Sequence, residues 1–385
     1  MPNVLILGGR APVALDHARR FHHQGWNVRI ADSIPCRLSG WSGAVTETLK
    51  IAPARYAPAV FASDLSNAVR KHAIDLVVPT CEEAFYLSRY RSCLPAGVRV
   101  LVDDFEKLRL LHSKWHFLEL ARGCGANVPD SRCVESLTEA REWAGESPLV
   151  LKPEFSRFGV HVRLYPEGIP TLAPELASMG TWVAQHFHSG TEFCSYSIAD
   201  QGRLLGHVVY RPSYRLRMSS SYYFDPYQSE QIRNFVAAFV KKINFTGQIS
   251  FDWIEAADGT MTVLECNPRA ISGLHLFSVD DAVPAALAGE RADCLVPSHQ
   301  RPGMIAAIML SAGLKEALAT SNFSQWRRDY QRAHDVIGHP GDRRALAGAI
   351  FDLGSYARIA IQQHCNLREA STRDIEWDGE ELVSS

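Results

Sequence analysis

The sequence predicts a chain of mixed α/β and α+β class. An open parallel α/β unit comes first, antiparallel hairpins follow, and the C-terminal stretch is largely helical. Three observations predict this. Up to Val102, short apolar runs alternate with stretches of helical period, the signature of strand–helix–strand units. From Thr181 onward, strand-like runs are separated by turn signals such as Asp200-Gln201-Gly202 and Asp258-Gly259. After Gly273 the strand signal fades and helical spacing dominates.

Taken in order, Val4–Leu7 is a continuous apolar run, as expected of a buried parallel strand, and Gly8-Gly9 ends it. Ala14, Leu15, Ala18 and Phe21 recur at helical spacing, Gly25 closes that helix, and Val28–Ala31 forms a strand ending at Asp32. An acid about 20 residues past a glycine pair resembles a dinucleotide fingerprint, but Gly8-Gly9-Arg10-Ala11-Pro12 lacks the third glycine and places bulky residues in the turn. The alternation continues with a helix over 65–71, a strand over 75–79, a helix capped by Thr80 with Glu83 reaching back, and a strand over 98–102. Glu82 and Glu83 lie at the carboxyl end of a strand, where open α/β sheets bind ligands; a helix-cap charge explains them equally well.

A helix runs from Lys114 to Ala121, then come a short strand near Cys133, a helix over 137–143 and the strand Leu149–Pro153. Lys152 sits within that apolar strand, where a lone ammonium is costly, so it is expected to be paired or functional. A strand ends at Gln185, and 193–198 pairs with 204–210 as a hairpin. Arg211, Arg215 and Arg217 fall at even separations, so an extended segment would point all three one way. They suit an anion site, or a charged sheet edge. Ser229–Lys242 is an amphipathic helix with Ile232, Phe235, Val236 and Phe239 on one face. Further on, 304–310 reads as a buried strand, and 280–288, 314–319 and 344–363 as helices, the last broken at Gly354.

The most informative stretch is Gln248–Gly273. Two strands flank Asp258-Gly259, so Asp252 can stand beside Glu265 and Asn267 across a hairpin. Period-two alternation puts Glu265 and Asn267 on one face; Pro268 ends regular pairing and Arg269 adds a planar cation. Three hard oxygen ligands beside an arginine suit Mg²⁺ carrying a polyphosphate.

This Asp…Glu-x-Asn-Pro-Arg hairpin resembles the metal site of the ATP-grasp superfamily. The resemblance covers residues 1 to about 275. It implies a pre-ATP-grasp α/β domain over 1–112, an A lobe over 113–180, a B lobe with the metal hairpin over 181–300, and a mixed, mostly helical segment over 301–385. It further implies ATP with Mg²⁺, for which Mn²⁺ can substitute, held by Asp252, Glu265 and Asn267. Lys114 and Lys152 would contact phosphates, and Ser156, Arg157 and Gly159 would stand in a phosphate-covering loop that is poor in glycine for this family. Gln185, the hinge at Phe187 and His188, and Glu192 would take adenine and ribose, while Lys152, Arg215 and Arg269 would act on the transferring phosphoryl group. The implied reaction is ADP-forming ligation of a small carboxylic acid to an amine through an acyl phosphate. A kinase of the same fold and a non-catalytic ATP-binding module remain alternatives.

Other classes are disfavoured. The net charge of −2 shows no basic excess, which points away from nucleic acid, and no apolar run reaches the roughly 18 residues a membrane helix needs. The nine cysteines contain no Cys-x-x-Cys pair and fit reduced thiols. The N-terminus begins a strand at once, so a cytoplasmic location is the expectation; a homodimer is compatible with all of this.

Overall fold

The computed structural model describes residues 1–156, 161–177, 180–216 and 221–382. The first unit is a five-stranded parallel sheet. Its strands are β1 (Asn3–Leu7), β2 (Asn27–Asp32), β3 (Glu47–Lys50), β4 (Leu76–Val78) and β5 (Arg99–Val100), in the order β3-β2-β1-β4-β5. Val4–Leu7 are fully buried, as the unbroken apolar run requires of a strand covered on both faces. The helix Pro12–His23 starts with proline in its first turn, where the missing N–H costs nothing.

A four-stranded antiparallel sheet follows, with β6 (Ser131–Val134), β7 (Leu149–Pro153), β8 (Arg163–Tyr165) and β9 (Trp182–His186) in the order β6-β9-β7-β8. One face packs on the helix Leu137–Ala144 through Leu149, Leu151, Trp182 and Ala184, a small core of its own. The alternate residues Val150, Lys152, Val183 and Gln185 therefore face the other way. Ser136 caps that helix by accepting from the Glu139 N–H.

The third sheet has seven strands: β10 (Thr191–Asp200), β11 (Arg203–Arg215), β12 (Ser221–Tyr227), β13 (Gly247–Glu255), β14 (Met261–Asn267), β15 (Gly303–Met304) and β16 (His334–Asp335), ordered β14-β13-β10-β11-β12-β15-β16. Its two faces do different work. Phe193, Phe251 and Trp253 bury one face under the helix Glu230–Lys242. Tyr196, Ile198 and Val208 on the other face join the core of the parallel sheet. Gln248 pins that junction, accepting from Tyr196 Oη at 2.6 Å and donating to the Pro79 carbonyl at 2.8 Å.

Three expectations need correction. Thr80 does not cap its helix: its hydroxyl donates to the Leu7 carbonyl, while Glu83 accepts from the Thr80 and Cys81 N–H groups. Of the expected 304–310 strand only Met304 is extended, in the short strand Gly303–Met304. From Ala306 the chain is helical, with a widened turn over Met309–Gly313 whose Met309 carbonyl accepts from the buried Trp326 indole. A short apolar run fits buried strand and buried helix equally well. The helix Arg343–Gln363 runs unbroken through Gly354, because one exposed glycine costs only about 1 kcal/mol. The chain's last elements also return to the parallel sheet, where Trp377 is buried against Phe85.

All nine cysteines are free thiols. Among the described residues, no helix is long and apolar enough to cross a membrane.

Candidate functional site

The hairpin forms as the turn chemistry demands. Gly259 adopts φ +83°, which suits glycine, and the Asp258 carboxylate accepts from the Thr260 N–H. Near the turn, Trp253 pairs with Val263; past it, Asp252 pairs with Glu265. A single register slip separates these pairs. Without that bulge Asp252 would stand opposite Leu264, and the two acids would point to opposite faces. With it, Asp252, Glu265 and Asn267 share one face, and Cys194 of β10 pairs with Asp252 on that same face.

The two carboxyl groups hydrogen-bond to each other. Burial, and then the facing Glu265 charge, push the Asp252 pKa well up. Burial also pushes Glu265 upward, but Lys152 and Lys114 outweigh it and hold that carboxylate below its usual range. The proton is thus held more firmly by Asp252 than by Glu265. Two facing acids whose joint ionisation a cation would favour, beside an amide oxygen, are a donor set that fits a hard divalent ion. Among the described residues, no group of three or more His, Cys, Asp or Glu side chains is placed to hold a metal; the hairpin set is two carboxylates and one amide.

Arg269 follows directly. Its guanidinium donates to Asn267 Oδ1 at 3.1 Å and lies 3.6 Å from Glu82. Asn267 therefore has one lone pair engaged and a second for another partner. Glu82, weighed from sequence as either substrate contact or cap, is fully buried and faces this arginine.

The opposite wall comes from β7 and β9. Lys152 and Gln185 share the face turned away from the small core. Burial lowers the Lys152 pKa, opposed by the charges of Glu265 and Asp252, so the cation of one wall faces the acids of the other. Lys114 is buried as well, contrary to the solvated helix lysine that its position alone suggests. Burial brings its pKa down to about 8 against the pull of Glu265. Its ammonium donates to the Ser156 carbonyl at 2.7 Å, so Ser156 meets this cation through its main chain. Two buried ammonium groups feel the charge of one carboxylate, an arrangement that favours an added polyanion.

At the hinge, Gln185 Nε2 donates to Ser131 Oγ at 3.3 Å. The N–H groups of His186 and Phe187 donate to Asp130 and Pro148 carbonyls, so neither serves a ligand. The Phe187 side chain is exposed and His188 half-buried. Glu192 is half exposed and ion-paired with Arg215. Arg211 and Arg215 do not share a face. Arg211 lies over the Phe193 and Tyr227 rings, on the face away from the acids. By alternation Arg215 would join it, but Tyr214 takes φ +53° and turns Arg215 to the Glu192 side. Arg217, Arg157 and Gly159 lie outside the described residues.

Other features escaped sequence reasoning. Asp32 is consumed by Arg10, which pairs with it and with Asp374, so an arginine side chain fills the turn that resembled a dinucleotide site. His112 is buried beside the Phe85, Phe155 and Trp377 rings, and burial lowers its pKa to about 4. Nothing in local spacing signals either arrangement, because each joins segments far apart in the chain.

No family model matches the chain. Solved structures do. The N5-carboxyaminoimidazole synthetase from Staphylococcus aureus complexed with ADP aligns over 82% of this chain and 86% of its own at 15% identity, with a TM-score of 0.61. The biotin carboxylase domain of the Hydrogenobacter thermophilus 2-oxoglutarate carboxylase, in complex with MgADP, ADP and bicarbonate, aligns over 76% and 70% at 14% identity, with a TM-score of 0.59. The L-amino acid ligase from Bacillus licheniformis aligns over 76% of each chain at 16% identity, with a TM-score of 0.54. What is shared at these identities is the fold, and it is the ATP-grasp fold.

Proposed function

We propose that this chain is an ATP- and Mg²⁺-dependent ligase that activates a small carboxylic acid as its acyl phosphate and couples it to an amine, releasing ADP. The observation that carries the reading is the buried pairing of Asp252 with Glu265 across the hairpin, facing Lys152 and Lys114. Support comes also from the fold, shared with proteins whose structures hold ADP or MgADP.

In this reading Asp252, Glu265 and Asn267 hold Mg²⁺, which when bound neutralises charge on the transferring phosphate. Lys152 and Lys114 bind the remaining phosphate oxygens as point charges. Gln185 and the Phe187–His188 hinge take the adenine edge, and Glu192 exchanges Arg215 for the ribose hydroxyls. The freed Arg215, with Arg269, stabilises charge on the phosphoryl group as the carboxylate oxygen attacks phosphorus and the bond to ADP breaks. The amine nitrogen then attacks the acyl carbon; phosphate leaves with the electron pair, and the nitrogen loses a proton. The units proposed for this work are 1–112, 113–180, 181–300 and 301–385.

The test is ATP-dependent hydroxamate formation in hydroxylamine, screened over amino acids and other small acids. A hydroxamate formed with stoichiometric ADP by the native chain, and absent in Glu265→Gln, is the expected result. ADP release with a stable phosphoester and no hydroxamate would instead mark a kinase.

A further inference from the structure

The last residues of the chain carry no recognisable motif, yet they are built into the site. After the helix Leu367–Thr372 the chain crosses the ligand-side end of the parallel sheet as a strap. Arg10 anchors its start, donating to the Ser371 carbonyl at 2.9 Å and pairing with Asp374 at 2.6 Å. Arg55 pairs with Asp378 at 2.8 Å, and Tyr86 Oη donates to the Glu376 carbonyl and to Glu380 at 2.8 and 2.7 Å. Between these anchors Trp377 is buried to 1% exposure. Its ring stacks on Phe85 with centroids 4.8 Å apart and meets Phe155 edge-on at 5.0 Å.

Two of these contacts lead into the proposed reaction centre. The Trp377 backbone N–H donates to Glu82 Oε2 at 3.2 Å, while Glu82 Oε1 faces Arg269 at 3.6 Å. One end of a fully buried carboxylate is thus fixed by the strap and the other faces the arginine beside the metal ligands. Phe155 lies two residues past the end of the strand that carries Lys152, and the strap packs on it so closely that a Cβ at Gly379 would come within 2.5 Å of its ring. A tail serving only to cover the sheet edge would need neither the bond to Glu82 nor the seat for Phe155.

We infer that Trp377 is a positioning residue for the reaction, fixing Glu82, and through it Arg269, from one side and the strand end that carries Lys152 from the other. The inference rests on the ligase reading for its chemistry and on the strap geometry for its residues. It joins the strap at Trp377 to Arg269 through one carboxylate. A misplaced guanidinium slows phosphoryl transfer more than it weakens nucleotide binding, whereas an unseated Lys152 weakens nucleotide binding itself.

The experiment compares Trp377→Ala and Trp377→Phe in the full chain, at a temperature where both are folded by circular dichroism. Hydroxamate turnover and MgADP affinity by calorimetry are the two readouts. Trp377→Ala is expected to lower kcat by about tenfold or more and to weaken MgADP by about fivefold. Trp377→Phe, which keeps a ring on Phe85, should recover most of both losses. A folded Trp377→Ala with native kcat and native MgADP affinity overturns the inference, as does loss of melting temperature alone. If the native chain binds MgADP but forms no hydroxamate, the ligase reading fails, and the binding comparison still decides the role of the strap. If the native chain binds no MgADP, both fail.

Discussion

The two walls of the proposed site are built on different principles. The hairpin wall belongs to a seven-stranded sheet whose two faces are buried in the two largest cores, one under the helix Glu230–Lys242 and one against the parallel sheet. The facing wall stands on four strands and one helix over a small separate core. The acids are on the first wall and Lys152 is on the second. Metal geometry tolerates little displacement, and the proposed function would place the ion on the more heavily braced of the two walls. An ammonium that met phosphate as a point charge would tolerate more, and the same proposal puts it on the wall with the small separate core.

That contrast can be broken at several points. The largest effect is expected at the hairpin: Glu265→Gln should reduce ADP formation by about 10²–10³-fold. Lys152→Met should instead act first on ATP affinity, and equal effects on affinity from both substitutions would erase the distinction. Next comes the independence of the two cores. Trp182→Ala, at a residue 1% exposed, should cost about 3–5 kcal/mol and separate an early melting transition from the main one. Phe251→Ala should move only the main transition. A single transition that shifts in both would show that the walls fold as one unit.

A smaller effect is set by pH. The fold keeps a proton on Asp252 that the unfolded chain has released, so this group makes the metal-free chain less stable as pH rises from the ordinary carboxylate range toward neutrality. Glu265 has the opposite sign: its stabilisation is present above that range and lost in acid. Mg²⁺ should remove the downward slope and release a proton on binding, measurable by calorimetry in buffers of different ionisation enthalpy. An apparent binding enthalpy that is the same in every buffer would mean that no proton is released and that Asp252 is not part of the metal site. The smallest effects belong to the N-caps. Ser136→Ala and Ser229→Ala should each cost about 1 kcal/mol, the first in the early transition and the second in the main one.

Much of the site was legible because it is local. Glu265, Asn267 and Arg269 lie within five residues, and alternation with a turn at Asp258-Gly259 is enough to bring Asp252 alongside. The strand carrying Lys152 and the helix after Ser229 announced themselves by the same periodicities. The register slip beside Asp252 had no such signal, although it decides whether the acids meet, because a bulge is a compromise between two strands rather than a property of either. The turn at Tyr214 likewise undid an alternation that placed three arginines together.

The order of elements, the hairpin chemistry and the buried lysine were therefore fixed by residue type and spacing, since backbone geometry repeats every two or 3.6 residues and side chains must follow it. What needed the folded molecule were the pairings between distant segments: Arg10 with Asp32 and Asp374, Lys152 facing Glu265, and Trp377 between Phe85 and Phe155. Such contacts are chosen by packing and by the cost of burying an unpaired charge, and neither leaves a period in the sequence.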